Sequence, residues 1–534
     1  MRSLLRPLAC ALLLFALTAT SVDAAIFQFI TPVETRKGER SAYLWVPPKA
    51  ERIRGVVMVG ITLIERELAQ DDRIRAACAE QQLAIVYLNC GLGAVDIQRT
   101  LNDLAAVSGY RELSAAPLMF IGHSAGGPQA RKLATAMSDR GFGLVQYRGG
   151  SPIDDEPGPA GVPSLMMIGQ FDEFGKIGRD ANGVENWEKD RDKLAGYRAM
   201  NERNLGSVCV EPGGGHFPWS DRNAKYLALF IAKAAAARIP AKWPIDVKAP
   251  VALNAIDPAT GWLTDMSIKP AGKHAPAPYA KYTGDKAKAA WHFDGELAEA
   301  NVAYHVGIER KDQFIIWKDP HSVQAGARFF FSEVKWVGDG QTFQVHPQYA
   351  DIYPKQFGNR GSVWGDAGKP VGHSGAPIKV RRAGGPIVAV GEHRFRVEFS
   401  ELAPATETAR VTFMAYSEGD DEFRYTERVG MIVDLPASLG EGKVQTITFA
   451  PLHDMTSKSD PIELKATSDS GLPVAYQTAY GPARIESGKL VIAELPARAK
   501  FPVKISVVAY QFGSGVEPKV RPAEPIAREF LLKE

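Results

Sequence analysis

The stretch Gly122-His123-Ser124-Ala125-Gly126 constrains this chain more than any other. The apolar run Pro117-Leu118-Met119-Phe120-Ile121 leads into it and reads as a buried strand, and Pro128 to Met137 leads out with a helical pattern. A G-x-S-x-G turn between a strand and a helix lets the chain reverse sharply and lifts the serine hydroxyl out of the sheet. The strand's carboxyl end and the helix's amino end then both point at Ser124. Free backbone N–H groups at that helix start can hold a developing negative charge. The competing reading is a Gly-rich turn that merely joins two elements.

The surrounding pattern is one of strands alternating with helices. Ile26 to Ile30 and Ala42 to Val46 read as short strands joined by the charged turn Arg36-Lys37-Gly38-Glu39-Arg40. Gly55 to Gly60 and Leu83 to Leu88 are continuous apolar runs, the mark of strands buried on both faces. The Pro117 strand follows, then Leu144 to Tyr147, Ser164 to Ile168 and Ser207 to Val210. Helical patterns cover Glu65 to Gln82, Val95 to Val107, Trp187 to Asn204 and Asp221 to Ala237. Such alternation implies a mostly parallel sheet with helices on both faces. Eight strands result, with Ser124 after the fifth. Gln170-Phe171-Asp172-Glu173 follows the seventh, and Glu211-Pro212-Gly213-Gly214-Gly215-His216-Phe217 follows the eighth. The carboxyl ends of parallel strands share one rim, so Ser124, Asp172 and His216 are expected to converge there.

On these residues, Ile26 to Pro240 resembles the α/β-hydrolase-fold serine esterases, of the secreted esterase and polyester depolymerase type. The resemblance implies acyl transfer through a covalent serine ester. A serine hydroxyl needs a base to take its proton, histidine can take it and return it to the leaving group, and a carboxylate fixes the imidazole tautomer. Only His123 and His216 lie between Ala25 and Pro244. His123 adjoins the serine within the turn and is badly placed as the base, which leaves His216. Asp172 fits the family pattern G-x-x-D with Gly169 as its glycine; Glu173, and Asp154 or Asp155 after the sixth strand, remain open. The resemblance also implies an oxyanion hole from the N–H of Ala125 and an N–H after the third strand, where Ile61 is the candidate. The H-G-G-G form of lipases is absent, and the chain reads Val59-Gly60-Ile61-Thr62 instead. Phe171, Phe217 and Trp219 flank the acid and the histidine, where they would either line a substrate pocket or pack in the core. Arg148, leaving the sixth strand, is either a partner for a substrate carboxylate or a surface charge. The polar segment Phe174 to Glu185 either covers the site or is exposed.

Composition sets the outer limits. With 534 residues, 45% apolar and 23% charged content, the chain is ordinary globular protein with room for three or so domains. A net charge of +2 implies no large basic face, so nucleic acid is not an expected partner. Arg2 and Arg6, the apolar run Leu8 to Leu17 and Val22-Asp23-Ala24 read as an export signal cleaved after Ala24, with an uncleaved anchor as the alternative. Secretion to the periplasm, cell surface or medium is therefore expected. Cys78, Cys90 and Cys209 remain; if a bridge forms, it is expected between Cys78 and Cys90. Neither cysteines nor histidines show metal-ligand spacing, and no metal or cofactor is expected.

Beyond Pro244 alternating strand patterns take over, as in Arg328 to Trp336, Arg394 to Phe399 and Ala409 to Ala415, with turns at Gly338-Asp339-Gly340 and Glu418-Gly419-Asp420. An all-β region over 246–440 is expected. From 441 to 534 short strands are evenly spaced, at Ile447 to Ala450, Ile462 to Ala466, Gly471 to Val474, Leu490 to Ile492 and Val503 to Ala509. The run Ala466 to Tyr476, with its S-G-L-P-V segment, resembles bacterial immunoglobulin-like repeats, which implies a β-sandwich acting as spacer or binding platform. The expected whole is a hydrolase over 25–240 carrying two β regions. Its expected substrate is a small ester or an acylated polysaccharide, with polysaccharide or cell-surface contact through the β regions. Rival readings are a serine peptidase and a non-catalytic surface protein that binds carbohydrate on a hydrolase scaffold.

Overall fold

The computed structural model describes residues 27–150, 158–172, 186–217, 219–242, 249–268, 274–325, 328–354, 368–401, 403–406, 410–435 and 439–534. The expected export signal, Asp154, Asp155, Glu173 and the Phe174 to Glu185 segment lie outside these residues.

One eight-stranded sheet organises the first part of the chain. Its strands are β1 (Phe29–Thr35), β2 (Gly38–Trp45), β3 (Gly55–Gly60), β4 (Leu83–Leu88), β5 (Leu118–His123), β6 (Gly141–Tyr147), β7 (Ser164–Gly169) and β8 (Gly206–Glu211). Their spatial order is β1-β2-β4-β3-β5-β6-β7-β8. β1 and β2 form an antiparallel hairpin, β2 runs antiparallel to β4, and the remaining pairs are parallel. Strands β3, β4, β5, β6 and β8 are buried along their whole length, as the continuous apolar runs of β3 and β4 require for those two. Side chains alternate between the two faces: Val56 and Met58 of β3 join one core, Val57 and Val59 the other. Helices α3 (Ile97–Ser108) and α4 (Gly126–Ala136) cover the first face. Helices α1 (Glu65–Gln70), α2 (Asp72–Glu80) and α6 (Asp221–Arg238) cover the second. Between β7 and β8 runs α5 (Asn186–Met200). This is the α/β-hydrolase arrangement.

Three local differences from expectation have physical causes. The single helix expected over Glu65 to Gln82 is broken at Asp71, whose backbone is extended and whose side chain accepts from the N–H groups of Arg73 and Ile74 to start α2 afresh. The first strand is displaced towards the carboxyl end, because Phe29, Thr31 and Val33 share the inward face, so most of the charged segment is strand rather than turn. Cys78, Cys90 and Cys209 are all free thiols, so the Cys78–Cys90 pairing, named only for the case that a bridge forms, is not made.

Among the described residues the chain past α6 is β-rich, with an α-helix that the alternating pattern did not announce. Helix α7 (Gly295–Tyr304) starts where Asp294 accepts from the Leu297 N–H, and it lies against the edge of the main sheet. Asn301 donates to the Val208 carbonyl at 2.8 Å, and the Val210 N–H donates to His305 Nε2 at 3.0 Å. A five-stranded sheet follows, in the order Ser322–Ala325, Arg328–Phe331, Thr426–Ile432, Val411–Ser417, Lys379–Gly384. A four-stranded sheet runs in the order Lys335–Val337, Thr342–Gln344, Arg394–Val397, Ile387–Gly391. The strand expected over Arg328 to Trp336 is thus two strands in two sheets, joined by an aromatic core that includes Phe331, Phe343, Phe395 and Phe413. The last region holds further short sheets, the largest pairing Ile526–Lys533, Val503–Tyr510 and Ala475–Tyr480. Gly471 to Val474 form no strand there.

Candidate active site

Ser124 sits in the turn between β5 and α4 with φ of +53°, a left-handed conformation that costs a non-glycine residue about 1–3 kcal/mol. Its neighbours hold it there. The Ser124 N–H donates to Tyr147 O at 3.0 Å, and the Gly127 N–H donates to Ser124 O at 3.0 Å. The turn is too tight for side chains at Gly122, where an added Cβ would fall 2.0 Å from the Gly126 carbonyl oxygen. Beneath the turn lies Glu65, fully buried in the first turn of α1. Its carboxylate accepts from the His123 N–H at 2.9 Å, from Thr62 at 3.0 Å and from Leu63 at 2.8 Å. Burial pushes the Glu65 carboxyl above its ordinary pKa, against the pull of these N–H groups.

His216 and Asp172 come from the loops after β8 and β7. His216 Nδ1 stands 3.0 and 2.9 Å from the two Asp172 carboxylate oxygens. The loop that carries His216 contains consecutive glycines and is tied down atom by atom. Gly214 O accepts from the Phe171 N–H at 2.9 Å, the Gly213 N–H donates to Gln170 Oε1 at 2.9 Å, and the Gly215 N–H donates to Glu427 Oε1 at 2.7 Å. His123, excluded as the base from sequence, has a different place. Its ring lies 4.8 Å from the His216 ring, and its Nε2 is 2.9 Å from the His216 carbonyl oxygen. Burial, with His216 adjacent, pushes His123 down to about 3, so it is neutral and Nε2 is the donor in that contact.

Ser124, Asp172 and His216 line one cavity of about 410 Å³ together with Ala125, Pro128, Met166, Ile168, Gln170, Trp187 and Asp190. Burial pushes Asp190 above its ordinary carboxylate pKa.

Several expected site residues lie elsewhere. The Ile61 N–H donates to Leu88 O at 3.0 Å, continuing the β3–β4 ladder, and is not a free oxyanion donor. The next two N–H groups, of Thr62 and Leu63, are taken by Glu65. Ala125 stands at the start of α4 on the cavity wall. The aromatics Phe171, Phe217 and Trp219 do not line the cavity. Phe171 packs on Phe314 and Ala350 beneath the Arg424 guanidinium, Phe217 packs on Ala383, Met414, Val429 and Met431, and Trp219 donates to Asp71 at 3.1 Å. Arg148 does stand on the wall of the same cavity, but it is no surface charge: it is buried at 3% exposure and ion-paired with Glu211. Glu211 also accepts from Ser220 and Asn223. A glutamate closing the apolar strand Gly206–Glu211 was the sequence signal for that buried pair.

No family model matches the chain, and no curated protein matches it. Among solved structures it is similar to an a/b serine hydrolase without lid from Xanthomonas campestris, at 16% identity over 40% of this chain and 96% of that one, TM-score 0.28. It is similar also to the poly(3-hydroxybutyrate) depolymerase from Bordetella parapertussis, at 14% identity over 40% of this chain and 91% of that one, TM-score 0.27. A third is the hyperthermophilic esterase from Pyrobaculum calidifontis, at 13% identity over 40% of this chain and 87% of that one, TM-score 0.27.

Proposed function

We propose that this protein is a serine hydrolase of carboxylic esters, with Ser124 as nucleophile, His216 as base and Asp172 as the carboxylate that orients it. The observation that carries the reading is the His216–Asp172 contact opening on the same cavity as a serine held at positive φ. Asp172 fixes the proton on Nδ1, so Nε2 is the basic nitrogen of the imidazole. As Ser124 Oγ attacks the ester carbonyl carbon, its proton passes to His216 Nε2. The carbonyl oxygen becomes an oxyanion facing the Ala125 N–H at the start of α4. Collapse expels the alcohol, which takes the proton from Nε2 and leaves an acyl group on Ser124. Water then repeats the sequence in reverse roles and releases the acid.

The substrate we propose is an acyl ester, with acyl groups on polysaccharide as the extended form, met outside the cell after export. Support for the ester comes from the cavity wall, which combines apolar Met166, Ile168 and Trp187 with polar Gln170. The export reading rests on Arg2, Arg6 and the apolar run Leu8 to Leu17, and the immunoglobulin-like reading of 441–534 on the S-G-L-P-V segment. Turnover of p-nitrophenyl acetate that disappears in Ser124→Ala supports the reading; no turnover on a panel of acetylated, feruloylated and methylated esters refutes it and favours a binding protein.

A further inference from the structure

The five-stranded sheet of the β-rich region lays one face on the hydrolase sheet's catalytic edge. Along Thr426–Ile432 the side chains alternate: Ile432 enters the aromatic core of the β-rich region, while Val429 and Met431 pack on Phe217 beside His216. Glu427 shares the face of Val429 and Met431. It is buried, and its two oxygens have separate partners. Oε1 accepts from the Gly215 N–H at 2.7 Å, one residue before His216. Oε2 accepts from Arg381 at 3.2 Å and from the Tyr425 hydroxyl. Arg381 itself donates to Tyr425 at 2.8 Å and stacks 4.7 Å from the Tyr416 ring, so the carboxylate is held from behind. The same strand touches the loop once more. An added Cβ at Gly213 would fall 1.7 Å from the Tyr425 carbonyl oxygen, and Gly213 has φ of +67°.

The loop needs such support. Three consecutive glycines, Gly213-Gly214-Gly215, carry the largest backbone freedom of any residue type, and His216 is attached to their end. Gln170 and Phe171 tie Gly213 and Gly214 from the hydrolase side. The Gly215 tie, next to the imidazole, comes from the other region, 212 residues along the chain. We propose that Glu427 is a positioning residue for His216, which makes the β-rich region a working part of the catalytic unit and not an appended module. This rests on the triad reading above.

Glu427→Ala removes the acceptor for Gly215. A displacement of the base by about 1 Å costs on the order of a hundredfold in rate, so kcat is expected to fall about thirtyfold to a hundredfold with KM within about twofold. Glu427→Gln keeps one carbonyl oxygen for the Gly215 N–H and recovers about tenfold of that loss. Arg498→Ala, which breaks a different contact between the regions, leaves kcat unchanged. A readout free of turnover accompanies these: the low-field proton resonance of His216 Nδ1–H facing Asp172, assigned by its loss in Asp172→Asn. It is expected to shift or broaden in Glu427→Ala and to stay near its wild-type position in Glu427→Gln. Wild-type kcat and an unmoved resonance in Glu427→Ala would overturn the proposal while leaving the esterase reading intact. If the wild-type chain turns over no ester, the esterase reading fails, and the resonance alone decides the positioning role. If Glu427→Ala does not fold, Glu427→Gln decides: wild-type kcat, whatever the KM, contradicts a positioning role, and a kcat loss of about threefold to tenfold at unchanged KM supports it.

Discussion

The main α/β sheet and the five-stranded β sheet are both covered on two sides, but by different things. Helices cover β3, β4 and β5, so their side chains are mostly apolar packing and the polar His123 stands at a strand end. The β strands at Val411–Ser417 and Thr426–Ile432 are covered on one side by their own aromatic core and on the other by the hydrolase region. That second face mixes Met414, Val429 and Met431 with the charged Glu427 and Arg381. The proposed reacting groups therefore sit on the first sheet's rim, while Glu427, proposed to aim one of them, sits mid-sheet in the second. A buried acid of this kind is costly alone and is tolerated because Arg381 and two hydrogen bonds satisfy it. Burial raises the Glu427 pKa, Arg381 opposes it and Glu211 adds to it. For Glu211, Arg148 and Arg222 outweigh burial and hold the carboxyl low.

The sharpest break between the two regions is in turnover. Ser124→Ala and His216→Ala are each expected to lower kcat about a thousandfold or more, as removal of a nucleophile or base does, with little change in thermal stability. Within the hydrolase region, Arg148→Met leaves Glu211 buried without its ion partner and is expected to cost about 3–5 kcal/mol, read as a lowered denaturation midpoint. Acid comes next. Burial holds His123, His292 and His305 down to about 3, and for His305 protonation would also set Nε2–H against the Val210 N–H. The unfolded chain takes up these protons below about pH 6.5 and the folded chain does not until far lower. Stability is therefore complete above that pH and falls as pH drops, by about 1.4 kcal/mol per pH unit for each histidine. Melting curves between pH 7.5 and 5 test this, and His305→Gln, which keeps an acceptor for Val210, is expected to flatten the decline. The smallest effect is expected at the far interface. Arg498 donates to Glu112 at 3.0 Å and to Gly109 O at 3.1 Å, and Arg498→Ala is expected to cost about 1–3 kcal/mol of stability with unchanged turnover.

What the sequence showed of this site follows from distance along the chain. G-x-S-x-G is legible because a tight strand-to-helix turn imposes glycine within two residues of the serine. Asp172 and His216 are legible because the apolar runs Leu165 to Ile168 and Val208 to Val210 mark β7 and β8, and the rim must lie just past them. Glu65, bonded to a backbone 58 residues away, and Glu427, at 212 residues, carry no local signature. The Ile61 expectation failed for a related reason. A free N–H is defined by what does not bond to it, and Leu88 on the neighbouring strand does. The aromatics misled because burial beside a catalytic residue looks the same in sequence whether the ring faces a cavity or another sheet. In the β-rich region the strand type was legible and the boundaries were not, since strands such as Lys335–Val337 and Thr342–Gln344 are only three residues long.

The most direct measurement is covalent capture of the nucleophile. The full chain is incubated with a fluorophosphonate, digested, and the modified peptide sequenced by mass spectrometry, with the rate followed in wild type and in His216→Ala. Modification at Ser124 alone, slowed about a hundredfold or more in His216→Ala, is the expected result. A folded protein that hydrolyses esters yet takes no adduct at Ser124, or takes it equally fast without the imidazole, would contradict a Ser124–His216–Asp172 triad.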